Sequence, residues 1–195
     1  MKKSALRHFM AVLLLTILAG CASSGGKLQK AGETTTFDMR IETSMDWSRI
    51  KSARQEVWTI DGSALNSLGI FSGIRPNEHV FMLSKEKKSR PDGPWFRPGM
   101  RADEVRDIVV DGLRGIGWSN IATDNLRPAS FGNSEGLRFD LAMTNADGLI
   151  YKATVAAVER GGKLTLLLWK APKEHYFDRD IEAVNRMLDG VRFLD

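Results

Sequence analysis

Ser134 stands in Gly132-Asn133-Ser134-Glu135-Gly136, the G-x-S-x-G spacing in which a sharp turn lifts a serine hydroxyl above a sheet for nucleophilic attack. Asp140 and His175 follow it as a candidate acid and base. The pattern works when a strand precedes the serine and a helix follows. Here Pro128 interrupts the approach and an alternating run over residues 137–143 comes directly after, so the five residues read as a loop entering a hairpin. No catalytic residue is therefore assigned, and a serine hydrolase using Ser134 and His175 stands as the alternative. His79 and His175 have no companion at a metal-ligand spacing such as H-E-x-x-H. Gly112, Gly115 and Gly117 close a helical pattern, whereas a phosphate cradle must open one. Neither metal nor cofactor is expected.

A second constellation is electrostatic. Lys85, Lys87, Lys88, Arg90, Arg97 and Arg101 flank Trp95 and Phe96 in a segment carrying three prolines and two glycines (Pro91, Gly93, Pro94, Pro98, Gly99). Regular structure is excluded there. Cations beside large aromatic rings suit anionic headgroups, glycan or an acidic partner. Equally, Trp95 and Phe96 tuck into the core beneath a solvated loop. These eight residues are the candidate interaction surface. Trp47, Trp58, Trp118 and Trp169 are read as core or sheet residues.

The elements that must position these groups follow from periodicity. Residues 21–35 are small and polar, the composition of a flexible tether. Alternation starts at Phe37, Met39 and Ile41, and further strands are expected over residues 56–60 and 79–83, with residues 63–74 either helix or loop. Val105, Ile108, Val109, Leu113 and Ile116 share one stripe of a helix over residues 102–115. Three strands follow, turning at Asp147-Gly148 and Gly161-Gly162, and a helix over residues 176–189 closes the chain. The expected class is α+β: residues 36–195 form one domain, an antiparallel β-sheet with helices packed on one face.

Ahead of this domain lies a leader. Lys2, Lys3 and Arg7 precede an apolar run over residues 9–18, too short for a permanent transmembrane helix of about 20 residues. Residues 1–20 thus read as a signal peptide. Without those three cations the basic excess falls from four residues to one, so no field for nucleic acid remains. Leu18-Ala19-Gly20-Cys21 resembles the lipobox of bacterial lipoproteins. That resemblance implies cleavage before Cys21, lipidation of its sulfur, acylation of the new amino terminus and stable membrane attachment. It places the protein in the cell envelope facing the periplasm, and Ala22 after the cysteine implies the outer rather than the inner membrane. Cys21 is the only cysteine, so the domain must be held by its core.

From Gly99 onward the order of elements, Leu166-Leu167-Leu168-Trp169-Lys170-Ala171-Pro172, the pair Tyr176-Phe177 and Met187-Leu188-Asp189-Gly190-Val191-Arg192-Phe193 resemble the PsbP-like fold. An extrinsic photosystem subunit and assorted bacterial lipoproteins share it. The resemblance implies a non-catalytic binding or accessory module that meets an envelope protein or other envelope component. A carrier with an apolar cavity is a further alternative.

Overall fold

A computed structural model describes residues 26–194; the signal peptide, Cys21 and residues 22–25 lie outside the described residues. The strands in chain order are β1 (Lys27–Gln29), β2 (Gly32–Thr36), β3 (Met39–Thr43), β4 (Trp47–Lys51), β5 (Gln55–Thr59) and β6 (Ser67–Ile74). Helix α1 (Ala102–Gly115) precedes β7 (Ser119–Phe131), β8 (Ser134–Thr144), β9 (Ile150–Arg160) and β10 (Lys163–Pro172). An irregular turn (Lys173–Phe177) leads into α2 (Asp178–Asp189), and β11 (Arg192–Phe193) ends the fold. An eight-stranded antiparallel sheet has the order β1-β4-β5-β6-β10-β9-β8-β7, and a three-stranded sheet the order β11-β3-β2.

The α+β class and the antiparallel sheet are as expected, but the helices do not share one face. Strands β9 and β10 are apolar at both parities. Ala153, Val155, Ala157, Leu164, Leu166 and Leu168 join one core with Val105, Val109 and Leu113 of α1 and with Phe96. Ala156, Val158, Leu167, Trp169 and Ala171 join the other with Val184 and Leu188 of α2 and with Met39 and Ile41 of β3. Strands without a polar face need cover on both sides. One helix serves each.

Three further expectations are corrected. Residues 27–36 are strands rather than tether, so the folded unit starts at Lys27 and not at residue 36. Edge pairing satisfies backbone groups and asks little of side chains, so polar composition did not prevent it: Lys27, Leu28 and Gln29 pair with Arg49, Ser48 and Trp47. Residues 79–83 are no strand. Its strand-type pairing is limited to isolated bridges, Glu78 with Lys85 and His79 with Trp95. The longest strand, β7, was not anticipated at all; it is the sheet edge, paired on one side only, which is where a strand tolerates a proline such as Pro128. Residues 63–74 resolve into a turn followed by β6.

Candidate functional site

The loop over residues 75–101 lies where β6 ends, and its aromatics are its foundation rather than its contact surface. Trp95 is 5% exposed and Phe96 is fully buried. The Trp95 indole Nε1 donates to the Arg90 carbonyl at 2.7 Å, and its ring meets His79 edge to face at 5.7 Å. Gly93 is required beneath that indole, since a Cβ there would stand 2.6 Å from Nε1. His79 Nδ1 accepts the backbone N–H groups of Phe81 at 3.1 Å and Met82 at 3.3 Å. Burial, with Arg90 nearby, lowers the His79 pKa, so the imidazole stays neutral and keeps this acceptor. Packing has therefore taken both aromatics, which are corrected from candidate contacts to core residues.

The cations divide into two groups. Arg97 pairs with Glu86 at 2.9 Å, and Arg101 pairs with Asp103 at 2.8 Å and Glu104 at 3.2 Å. Lys85, Lys87, Lys88 and Arg90 are exposed and join no ion pair among the described residues. Arg75 was not singled out from sequence, yet it borders the same surface. Together with Asn77, Glu78, Lys85, Glu86 and Lys88 it lines an open concavity of about 700 Å³. Glu78 does not neutralise it, because Arg54 holds both its oxygens at 2.7 and 3.1 Å. Burial pushes the Glu78 carboxyl up, but hydrogen bonds from Arg54 and the Arg75 backbone outweigh it and keep the group ionised. Asp92 is the one carboxylate of the segment left outside an ion pair. An anion entering the concavity meets Arg75, Lys85 and Lys88 with the local carboxylates already engaged.

Ser134 and His175 are not brought together. Ser134 opens β8 beside the β7–β8 turn, level with the Arg160 end of β9, whereas His175 follows Pro172, which pairs with Tyr151 at the other end. Nine residues of strand, about 30 Å, separate those levels. Asp140 instead accepts from Asn125 at 2.9 Å. No cluster of His, Cys, Asp and Glu able to hold a metal ion occurs among the described residues. A largely apolar recess of about 440 Å³ lies between α1 and the β7–β8 hairpin, lined by Met100, Val105, Leu126, Leu137 and Leu164 and bordered by Arg127, Glu135 and Glu159.

No family model matches the sequence, and no curated protein matches it. Solved structures are similar in fold. The cyanobacterial PsbP protein CyanoP of Synechocystis sp. PCC 6803 has a TM-score of 0.52 at 11% identity, covering 89% of this chain and 96% of that one. A protein of Bacteroides thetaiotaomicron VPI-5482 has a TM-score of 0.48 at 8% identity over 86% of this chain; the chain spans about half, 50%, of that protein's length. LpqN of Mycobacterium tuberculosis, involved in cell envelope biogenesis, has a TM-score of 0.39 at 10% identity, covering 89% of this chain and 88% of that one. The likeness to CyanoP is one of fold, and at 89% of the chain it reaches well beyond the stretch from Gly99 onward.

Proposed function

We propose that this chain is a cell-envelope lipoprotein, anchored through Cys21 and facing the periplasm, whose domain is a non-catalytic binding or accessory module. Residues 75–101 form its contact surface, and its partner is an anionic component of the envelope. The observation that carries this reading is the set Arg75, Lys85, Lys87, Lys88 and Arg90, held without ion-pair partners on a loop pinned by buried Trp95 and Phe96. A pinned loop presents its charges at little entropic cost, which suits recognition. The PsbP-like fold is consistent with an accessory role, and Ala22 after the lipidated cysteine favours the outer membrane. Metabolic labelling with palmitate tests the anchor: label should enter the wild-type chain and be absent from Cys21→Ser, which should also retain its leader. An unlabelled wild-type chain rejects the lipoprotein reading. Recovery with inner-membrane markers rejects the outer-membrane assignment.

A carrier is the second reading, favoured by the apolar recess under α1. Saturable binding of a fluorescent fatty acid, weakened by Leu126→Glu, would support it over the basic surface. For catalysis the test is a fluorophosphonate probe. Labelling of Ser134 that disappears in Ser134→Ala would overturn the non-catalytic reading.

A further inference from the structure

The chain enters the fold at the same end of the sheet as the basic loop. β1 begins opposite Arg49, midway along β4, with its amino-terminal end toward Lys51; the β4–β5 turn beyond carries Arg54, and Arg54 binds the Gly73 carbonyl at 2.8 Å and Glu78 at 2.7 Å, where β6 hands over to Arg75. Five residues separate Cys21 from Lys27, and the six steps between them reach at most about 22 Å.

One patch beside this end is apolar and open. Leu28 lies opposite Ser48, Ile50 opposite Val57, Val57 opposite Gly69, and Gly69 opposite Leu168, so Leu28 and Ile50 face the side that α1 covers farther along the sheet. Neither α1 nor the loop reaches them: Leu28 is 58% and Ile50 53% exposed. Gln55, on the same face, donates to the Phe81 carbonyl, which sets Met82, 56% exposed, beside the patch.

We infer that this combined surface, Leu28, Ile50 and Met82 with Arg75, Lys85, Lys87, Lys88 and Arg90, lies against the anionic phospholipid bilayer that carries the anchor. The inference rests on the lipoprotein reading and names the partner within it. Three observations select a bilayer over a soluble acidic partner. The terminus that bears the lipid is a short reach away, the cations match phosphate headgroups, and the exposed apolar side chains sit beside the cations as an interfacial surface requires. Acyl anchor and basic patch then act as two attachment signals, and the domain lies down on the membrane instead of rotating freely above it.

The test uses the full lipidated protein carrying Ile50→Cys, or Met82→Cys as a second reporter, labelled with an environment-sensitive fluorophore. It is reconstituted into phosphatidylcholine vesicles with and without phosphatidylglycerol. Glu182→Cys, on α2 across the sheet, is the control, its side chain 87% exposed. Emission from positions 50 and 82 should shift to the blue only when phosphatidylglycerol is present, position 182 should stay water-like, and Lys85→Glu/Lys87→Glu/Lys88→Glu should abolish the shift. High salt should reduce it. Equal responses at 50 and 182, or a response indifferent to phosphatidylglycerol, overturns the apposition while leaving the anchor intact. A lipidated chain offers one free thiol, the introduced one, because Cys21 is the only native cysteine. Two reactive thiols per chain mark Cys21 as unmodified, which overturns the anchor and the apposition with it.

Discussion

Trp95 concentrates the difference between what a residue type suggests and what its surroundings make of it. An indole in a Pro/Gly-rich, lysine-rich loop is equally suited to meeting a partner and to holding the loop. What decides is the company of His79, the Arg90 carbonyl and the space left by Gly93, none of it visible as periodicity. Trp95→Ala should cost about 3 to 5 kcal/mol of stability by emptying a buried site. Lys87→Glu, on the exposed side of the same loop, should change stability by less than about 0.5 kcal/mol. Chemical denaturation of both variants checks the contrast, and a Trp95→Ala protein of unaltered stability would return the ring to the interaction surface. That His79 has no ligand companion at a useful spacing was legible in sequence. Its role as a backbone acceptor was not, because that depends on a turn formed by residues far from any repeat.

Among the elements, those with apolar periodicity or a continuous apolar run were read well. Helix α1 spans the residues its stripe indicated, and β8, β9 and β10 follow the alternation and turn glycines of their segments. Elements carrying little apolar periodicity were missed. β7 exposes most of its length and β1 buries none of its side chains, so backbone pairing does most to define them. The helix faces were misjudged because Leu164 to Trp169 looks like one buried run, and a run cannot say that alternate residues require separate covers. Helix α1 also carries Gly112 in its interior, which on propensity alone Ala would improve by about 1 kcal/mol. Packing reverses that sign. A Cβ at Gly112 would lie 2.8 Å from Val80 Cγ2 and 2.9 Å from the Phe81 ring, both buried, so the helix can approach the loop only as glycine. Gly112→Ala should destabilise by about 1 to 3 kcal/mol. A raised melting temperature would contradict this close approach.

For the molecule as a whole, Glu56 is the polar joint between the two sheets. Buried in β5, it accepts from Thr36 of β2 at 2.7 Å, from the Trp58 indole at 2.7 Å and from Arg49 at 2.9 Å. Burial alone would raise its pKa, but the hydrogen bonds from Trp58, Thr36 and Arg49 outweigh burial and hold it below its ordinary 4.5. A carboxyl depressed on folding contributes stability that is fully present above its unfolded value and is lost as pH falls through its folded one. Glu56→Gln should therefore destabilise the protein at neutral pH and flatten the decline of stability below pH 4.5. Unfolding titrations that show the same loss at neutral pH and well below that value would remove Glu56 from this role. The joint was not legible beforehand, because Thr36 stood at the border of a segment read as tether.

The narrowness of β1 has a mechanical consequence. Its three residues bury no side chain and hold the fold through their ladder to β4, backed by Asp46, which receives the Ala31 N–H at 2.8 Å and Lys30 at 2.9 Å. A pull on the amino terminus, away from the sheet, loads the Lys27–Arg49 pair first, then Leu28–Ser48, then Gln29–Trp47. Peeled in turn rather than sheared together, these pairs release roughly 10 Å of chain before tension reaches Asp46. Strain arriving from the terminus is thus spent on the outermost strand, and both cores stay closed behind it.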